Sequence, residues 1–316
     1  MKILFTADVH IKLGQKNVPI PWARNRFSLF VEQFAEMQNQ ADLVIIGGDI
    51  FDRVPTMEEL DLYFDFIRGV NKPTYIYAGN HEALKKNTTF LSHLKDVTSN
   101  INKRVKIIDE FFSLENIDFI PYNRLKEYNP AHIDLHGNIL CTHVRGEIPP
   151  HVKPEVPLEI FERWDVVLAG DLHSYANSQL NILYPGSPIT TSFHRNLVET
   201  GVIILDSTSL EHTWKVLELP QLIRKTIDNQ EDMIATDYHH TIYELTGDIT
   251  ELGSIKDSVL LDKKIVKKDT DTALILDPTM TIEDEITEYL KYIVQVPDET
   301  IELALKEYHD NIKGQL

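Results

Sequence analysis

The stretch 165-DVVLAGDLHSYA-176 is an apolar run that stops abruptly at Gly-Asp-x-His. Aliphatic residues fill Val166–Ala169 without a polar interruption, the signature of a strand buried on both faces rather than one. A similar phrase lies near the start of the chain, 3-ILFTADVHIKLG-14, where the run ends at Asp8-Val9-His10. Between them lie three more short β-branched or aliphatic runs, 42-DLVIIGG-48, 73-PTYIYAG-79 and 138-NILCTH-143. Helical patterns separate several of these runs. Over Arg24–Gln40, Phe27, Phe30, Val31 and Phe34 share a helical face; over Thr56–Val70, Leu60, Phe64 and Ile67 do the same. Strands alternating with helices predict an α/β sheet covered on both sides, and the chemistry of such sheets lies beyond the carboxyl ends of strands.

That is where the polar residues fall. Five strand ends deliver Asp8-Val9-His10, Gly48-Asp49-Ile50-Phe51-Asp52, Gly79-Asn80-His81-Glu82, Thr142-His143 and Gly170-Asp171-Leu172-His173. One Asp after one strand is ordinary turn chemistry. Five such clusters in one alternating chain point instead to a shared site. Asp, His and Asn are the side chains that bind hard or borderline divalent cations without thiolate. Asp171 stays open between metal ligand and turn residue. Asp52 is open too: its carboxylate could orient His10 or His81, or it could simply end a loop leading to a helix.

The totals bound the rest. The chain has 316 residues, 42% hydrophobic and 25% charged, enough for one large domain and a smaller one. No apolar run approaches the roughly 20 residues that span a bilayer, and the N-terminus reads as a first strand. A single cysteine, Cys141, excludes an internal disulfide and sits in an apolar run, so a buried thiol in a reducing compartment is expected. The net charge of −18 argues against broad attraction to nucleic acid. It is unevenly spread: residues 227–316 carry 21 acidic and 8 basic side chains, and the first 226 carry 28 and 23. Any contact with a polyanion would then rest on local cations near the strand ends. The candidates are Arg53, Lys85, Lys86 and Arg145, with Lys12, Lys16 and Arg24 behind them. The pattern changes near Leu219-Pro220. The predicted domains are 1–220, a small α/β cap over 227–277, and a helical segment over 278–316, where Ile282, Ile286, Tyr289, Leu290 and Ile293 form one stripe and Ile301, Leu305, Tyr308 and Ile312 another.

In order and neighbourhood, the five clusters resemble the signature of the calcineurin-like metallophosphoesterases: D-x-H, G-D-x-x-D, G-N-H-D/E, a lone His, and G-H-x-H. The resemblance implies a two-sheet sandwich flanked by helices. It further implies one metal held by Asp8, His10, Asp49 and His173, with Asp49 bridging to a second held by Asn80, His143 and the residue at Asp171. His81, with Asp52 beside it, would be catalytic. Asp171 stands where the family has His. A carboxylate there keeps a donor atom but adds charge, favouring hard Mn²⁺ or Mg²⁺. Two cations a few ångströms apart would neutralise a phosphodiester and acidify a bound water.

Within the superfamily, 183-LYPGSPITTSF-193 looks like a segment of the SbcD-type DNA nucleases, and the compact length is similar to the recombination nuclease subunits of tailed phages. The same segment also reads as a rigid turn after a strand, and both readings hold together. His194 follows where the family has a small residue, and reads as a loop residue. This branch implies a DNA exonuclease or endonuclease, two Mn²⁺ ions, a homodimer and a coiled-coil SbcC-type ABC ATPase partner gripped by the C-terminal helices. It also implies work in the cytoplasm of a host cell, away from membranes, in DNA repair, recombination or replication. The C-terminal stripes could equally pack on each other and on the cap. A phosphatase of the same superfamily is the alternative, since 48-GDIFDR-53 and 79-GNHE-82 echo protein phosphatases. Against it, Ala78 stands where those enzymes carry a phosphate-gripping Arg, and Ile11 replaces the Gly after D-x-H. A third possibility is a scaffold that kept the fold and lost a ligand at Asp171.

Overall fold

Parity along each strand decides what it buries. In β1 (Lys2–Thr6), Ile3 and Phe5 join one apolar cluster while Leu4 joins another. The same split runs through β2 (Leu43–Ile46), where Leu43 and Ile45 oppose Val44 and Ile46. A strand apolar on both faces needs a layer on each side. The computed structural model supplies them; it describes residues 1–85, 87–227, 232–234, 238–246, 261–266, 280–294 and 296–313.

The chain runs β1, α1 (Ile20–Met37), β2, α2 (Met57–Gly69), β3 (Thr74–Tyr77), β4 (Ala83–Lys85), β5 (Thr88–Thr89), α3 (Lys95–Ile101), β6 (Val105–Ile108), β7 (Phe112–Leu114) and β8 (Ile117–Ile120). It continues through α4 (Tyr122–Leu125), β9 (Ile139–His143), β10 (Val166–Gly170), β11 (Ile182–Leu183), β12 (Thr200–Asp206), β13 (His212–Leu217), β14 (Leu222–Ile227), β15 (His240–Thr246) and β16 (Leu261–Val266). One sheet has the order β13-β12-β1-β2-β3-β6 and a second β11-β10-β9-β8-β7. In the first, β1, β2, β3 and β6 are parallel; in the second, β8 to β11 are parallel. Their inner faces meet in a common core that includes Phe5, Tyr77, Phe119, Cys141 and Leu168. The outer face of the first sheet is covered by α1 and α2 through Phe30, Phe34, Tyr63 and Phe66. The outer face of the second packs on Phe161 and Trp164. The expected two-sheet α/β sandwich with flanking helices is the fold, and Cys141 is a buried free thiol within it.

Two details depart from the sequence pattern. α1 begins at Ile20, four residues earlier than the periodicity suggested, with Pro19 at its N-cap and Pro21 in its first turn. Such proline placement suits a helix start, where the missing N–H has no partner to lose. In α2, the buried hydrophobic residues are Leu62, Tyr63, Phe66 and Ile67, whereas Leu60 and Phe64 are only partly buried. The sheet in front of α2 takes the aromatic-rich side, and Leu60 and Phe64 flank it.

The described chain falls into two units, Met1–Glu244 with Lys256–Lys264, and Leu245–Ile255 with Ile265–Leu316. Most of the cap expected over 227–277 lies outside the described residues. In the second unit, Thr281 opens α5 (Ile282–Glu288) with a reciprocal cap: Asp284 N–H donates to Thr281 Oγ1 at 3.2 Å, and Thr281 N–H donates to Asp284 Oδ2 at 3.0 Å. The helix then widens into a π turn over Tyr289–Val294 before α6 (Asp298–Lys313). That turn shifts the phase of the stripe expected to continue from Ile282. Among the described residues, no helix is long and apolar enough to cross a membrane.

Candidate metal centre

The parallel strands of both sheets end at one place. Beyond β1 lie Asp8 and His10, beyond β2 Asp49, and beyond β3 Asn80 and His81. His143 ends β9, while Asp171 and His173 follow β10. Asp8, His10, Asp49 and Asp171 all adopt positive φ, at 57°, 48°, 50° and 105°. L-residues rarely hold that conformation, and functional sites are where such strain collects. Close backbone approach is built in as well. A Cβ on Gly79 would sit 2.2 Å from Asp49 Oδ1, and one on Gly170 would sit 2.6 Å from both the Gly47 oxygen and His143 Nδ1.

Asp49 is the hub. Its Oδ2 lies 3.6 Å from His10 Nε2, 3.5 Å from His143 Nε2 and 3.9 Å from His81 Nε2. Its other oxygen accepts the His81 amide N–H at 2.9 Å. His10 Nε2 faces His173 Nε2 at 3.1 Å, and Asn80 Oδ1 lies 2.9 Å from His143 Nε2. Among the described residues, three sets bring possible ligand atoms within 4.8 Å of one another: Asp8, His10 and His173; His10, Asp49 and His81; and Asp8, Asp49 and His143.

The ring partners determine which nitrogen is offered. His143 Nδ1 donates to the Gly47 carbonyl at 2.8 Å, so Nε2 turns its lone pair toward the Asp49 and Asn80 oxygens. Acceptors facing acceptors need a proton or a cation between them, so this donor set fits a divalent metal. Without one, burial alone would lower His143, but the Asp49 carboxylate prevails and raises it to about 10. Burial also tends to raise Asp49, yet His143 and His10 hold it below the usual carboxylate range. Asp8 is pushed well up, by burial first and also by Asp49. Burial lowers His10 to about 3, so its ring is neutral, as a ligand requires. Burial lowers His173 as well, and its Nδ1 lies 3.1 Å from Thr191 Oγ1.

His81 is more exposed, its side chain 37% accessible, with Nδ1 at 2.6 Å from the Asp52 carbonyl. Asp52 therefore meets His81 through its backbone. Its carboxylate instead pairs with Lys12 at 2.7 Å and lies 3.7 Å from His10 Nδ1. The structure also departs from expectation at Asp171. Its amide N–H donates to Asp8 at 3.1 Å to each oxygen, while its carboxylate is turned away to Arg145, with Nε–Oδ2 at 3.0 Å and Nη2–Oδ1 at 3.2 Å. Asp171 belongs to none of the three ligand sets.

The predicted DNA-contacting cations stand differently from one another. Arg53 reaches both carboxylate oxygens of buried Glu59 at 3.1 Å, and Arg145 is taken up by Asp171. Lys85 is exposed on β4, and Lys86 lies outside the described residues. His194 is partly buried and joins its backbone to Leu222 and Arg224.

Three supporting groups were not singled out from sequence. Glu82, fully buried, accepts N–H groups from Asp49 at 2.9 Å, Phe51 at 3.0 Å and Gly79 at 2.8 Å. Burial, then Asp49, raises its carboxyl to about 7. Ser187 Oγ lies 2.6 Å from the Asp8 and Ile189 carbonyl oxygens, and Thr191 abuts His173. The Tyr-Pro-Gly-Ser segment is thus a bracket for the metal loops: Tyr184 OH donates to the Val144 carbonyl, and Trp214 Nε1 to that of Pro185. Only the identity of Glu in Gly-Asn-His-Glu could have signalled the first of these.

Comparison with known proteins agrees with this geometry. Residues 1–178 match the calcineurin-like phosphoesterase family. The chain is 41% identical over 317 residues to the probable exonuclease subunit 1 of Escherichia phage T5, covering 96% of this chain and 97% of that one. It is 29% identical over 246 residues to the putative phosphoesterase 244L of Invertebrate iridescent virus 6, covering 72% and 82%. A solved archaeal phosphodiesterase aligns with 69% of the chain at a TM-score of 0.40 and 16% identity, over 100% of its own length. With the candidate donor loops all inside the matched span, the chain belongs to the calcineurin-like phosphoesterase family.

Proposed function

We propose that the chain is the nuclease subunit of a DNA-processing complex, hydrolysing phosphodiester bonds at duplex ends with two divalent cations, Mn²⁺ first among them. The observation that carries this is the convergence of His10, His81 and His143 nitrogens within 3.9 Å of one Asp49 oxygen. It is joined by the near full-length similarity to a phage exonuclease subunit. Asp8, His10, Asp49 and His173 would hold one cation; Asp49, Asn80, His143 and Asp171 the other. When bound, such ions neutralise the phosphate and acidify water near it.

The chain's own residues do the rest. His81 presents Nε2 to the cluster because its Nδ1 is tied to the Asp52 carbonyl. In its doubly protonated form the ring keeps Nδ1–H on that carbonyl and can give its Nε2 proton to the departing alkoxide, or a hydrogen bond to the charged phosphate. The Asp52 carboxylate, between Lys12 and His10, steadies the first loop. Lys85 and Lys86 would carry sequence-independent backbone contacts, and Arg53 and Arg145 lend positive charge beside the loops. The acidic C-terminal helices would bind a partner, for which a coiled-coil ATPase is the reading, and a homodimer working in a host cytoplasm completes it. The cap would occupy 227–277.

The test is hydrolysis of linear duplex DNA with Mn²⁺, run beside para-nitrophenyl phosphate and a phosphopeptide. DNA is expected to be degraded, and His81→Ala to lower the rate by roughly 10²–10⁴-fold. Turnover of the phosphopeptide with DNA left intact would replace this reading with a phosphatase.

A further inference from the structure

Asp171 and Arg145 form a bidentate ion pair at the edge of the cluster, with the Asp171 side chain 6% exposed and the Arg145 side chain 44% exposed. The pair sits beside the ligands rather than apart from them. Asp171 shares a hydrogen bond with Asp8 through its amide, and Arg145 is two residues from His143. One member is therefore buried against Asp8, while the other opens to solvent, where an anionic phosphodiester would approach. Planar guanidinium grips carboxylate and phosphate with the same two-pronged geometry. A group able to take either partner makes the two exchangeable.

We propose that Arg145 is a switchable counter-ion: it holds the Asp171 carboxylate away from the second cation until a phosphodiester takes the guanidinium in its place. This rests on the two-cation reading above and deepens it. With phosphate absent, Asp171 is neutralised by Arg145, and the second position offers only Asp49, Asn80 and His143. With phosphate on Arg145, Asp171 is released to complete the set. The negative charge added by placing a carboxylate here is thereby kept compensated in both states. Second-cation affinity and phosphodiester affinity are then linked, and by reciprocity each strengthens the other by the same factor.

The experiment counts bound Mn²⁺ by the electron paramagnetic resonance signal of the free ion, with and without dimethyl phosphate, a minimal phosphodiester. Wild type is expected to bind one ion more tightly than the second, with dimethyl phosphate tightening the second roughly tenfold. In Arg145→Gln the second ion should bind more tightly without phosphate than it does in wild type, and phosphate should tighten it less, only by the direct attraction of the cations for the anion. Asp171→Asn should weaken the second ion in both conditions. Circular dichroism and first-ion affinity matching wild type show that each variant is folded. Two ions bound in wild type, with second-ion binding in Arg145→Gln unchanged or weakened, or as responsive to phosphate as in wild type, would overturn the counter-ion and leave the two-cation reading standing. Failure of wild type to take a second ion at any phosphate concentration would overturn both.

Discussion

Glu82 shows how much a metal site depends on a residue outside the ligand set. Its fully buried carboxylate gathers the amide hydrogens of Asp49, Phe51 and Gly79. Each buried N–H left without an acceptor costs about 1–3 kcal/mol. Glu82→Ala is therefore expected to destabilise the protein by at least about 3 kcal/mol, read as a lower midpoint in urea denaturation, with Glu82→Gln between it and wild type. Equal midpoints for all three would show that the loops hold themselves. The candidate donor residues could be picked out in sequence because strand-end Asp and His clusters are local. The role of Glu82 was not, since two of its partners lie 33 and 31 residues away and donate through backbone, which carries no side-chain signature. The Asp171–Arg145 pair was hidden for a related reason: nothing in the spacing says whether a carboxylate turns inward to a metal or sideways to an arginine.

At the scale of elements, α2 is tied to the site by its first turn. Thr56 Oγ1 accepts from Glu59 N–H, and Glu59 accepts from Thr56 N–H and also from Leu13 N–H at 2.8 Å. The helix cap thus fastens the loop that carries Asp8 and His10. Thr56→Ala is expected to cost about 1 kcal/mol, the usual value for a lost N-cap. Glu59→Ala should cost more, because the Leu13 amide and Arg53 lose their partner too; chemical denaturation ranks the two. The reverse order would mean that the cap matters to the helix alone. Gly79 makes a sharper case. With a Cβ 2.2 Å from the Asp49 carboxylate, Gly79→Ala should displace that carboxylate and abolish Mn²⁺-dependent hydrolysis. Helix positions were legible from apolar periodicity, but the buried face of α2 was not. Leu60-Phe64-Ile67 and Leu62-Tyr63-Phe66 are both good helical stripes, and only the sheet in front of the helix selects between them.

Across the whole molecule, the buried centre sets two carboxylates close together among its histidines. Asp8 and Asp49 share a pocket with almost no exposure, at 0% and 2%. Two buried carboxylates repel each other and resist desolvation, so a cation bound only by the folded chain should raise stability by mass action. Adding Mn²⁺ is expected to raise the melting temperature by several degrees, and EDTA to reverse it; His10→Ala together with Asp49→Asn should erase the shift. An unchanged melting temperature with saturating metal would contradict the proposed cation site. The fold class was readable because an α/β chain with double-faced strands has few ways to pack. The sandwich of two sheets followed from the family resemblance; the pairing of particular side chains across the shared core was not readable, since it depends on fit between residues far apart in the chain.

That pairing has a bearing on synthesis. Asp8, Asp49 and Asn80 come from the first sheet, and His143 and His173 from the second. Domains generally fold as units while the ribosome elongates the chain from its N-terminus. A growing polypeptide would therefore be chemically silent until residue 173 has left the exit tunnel and both sheets have closed. The proposed nuclease would thus have no competent half-made form, and truncated translation products would leave nucleic acid intact.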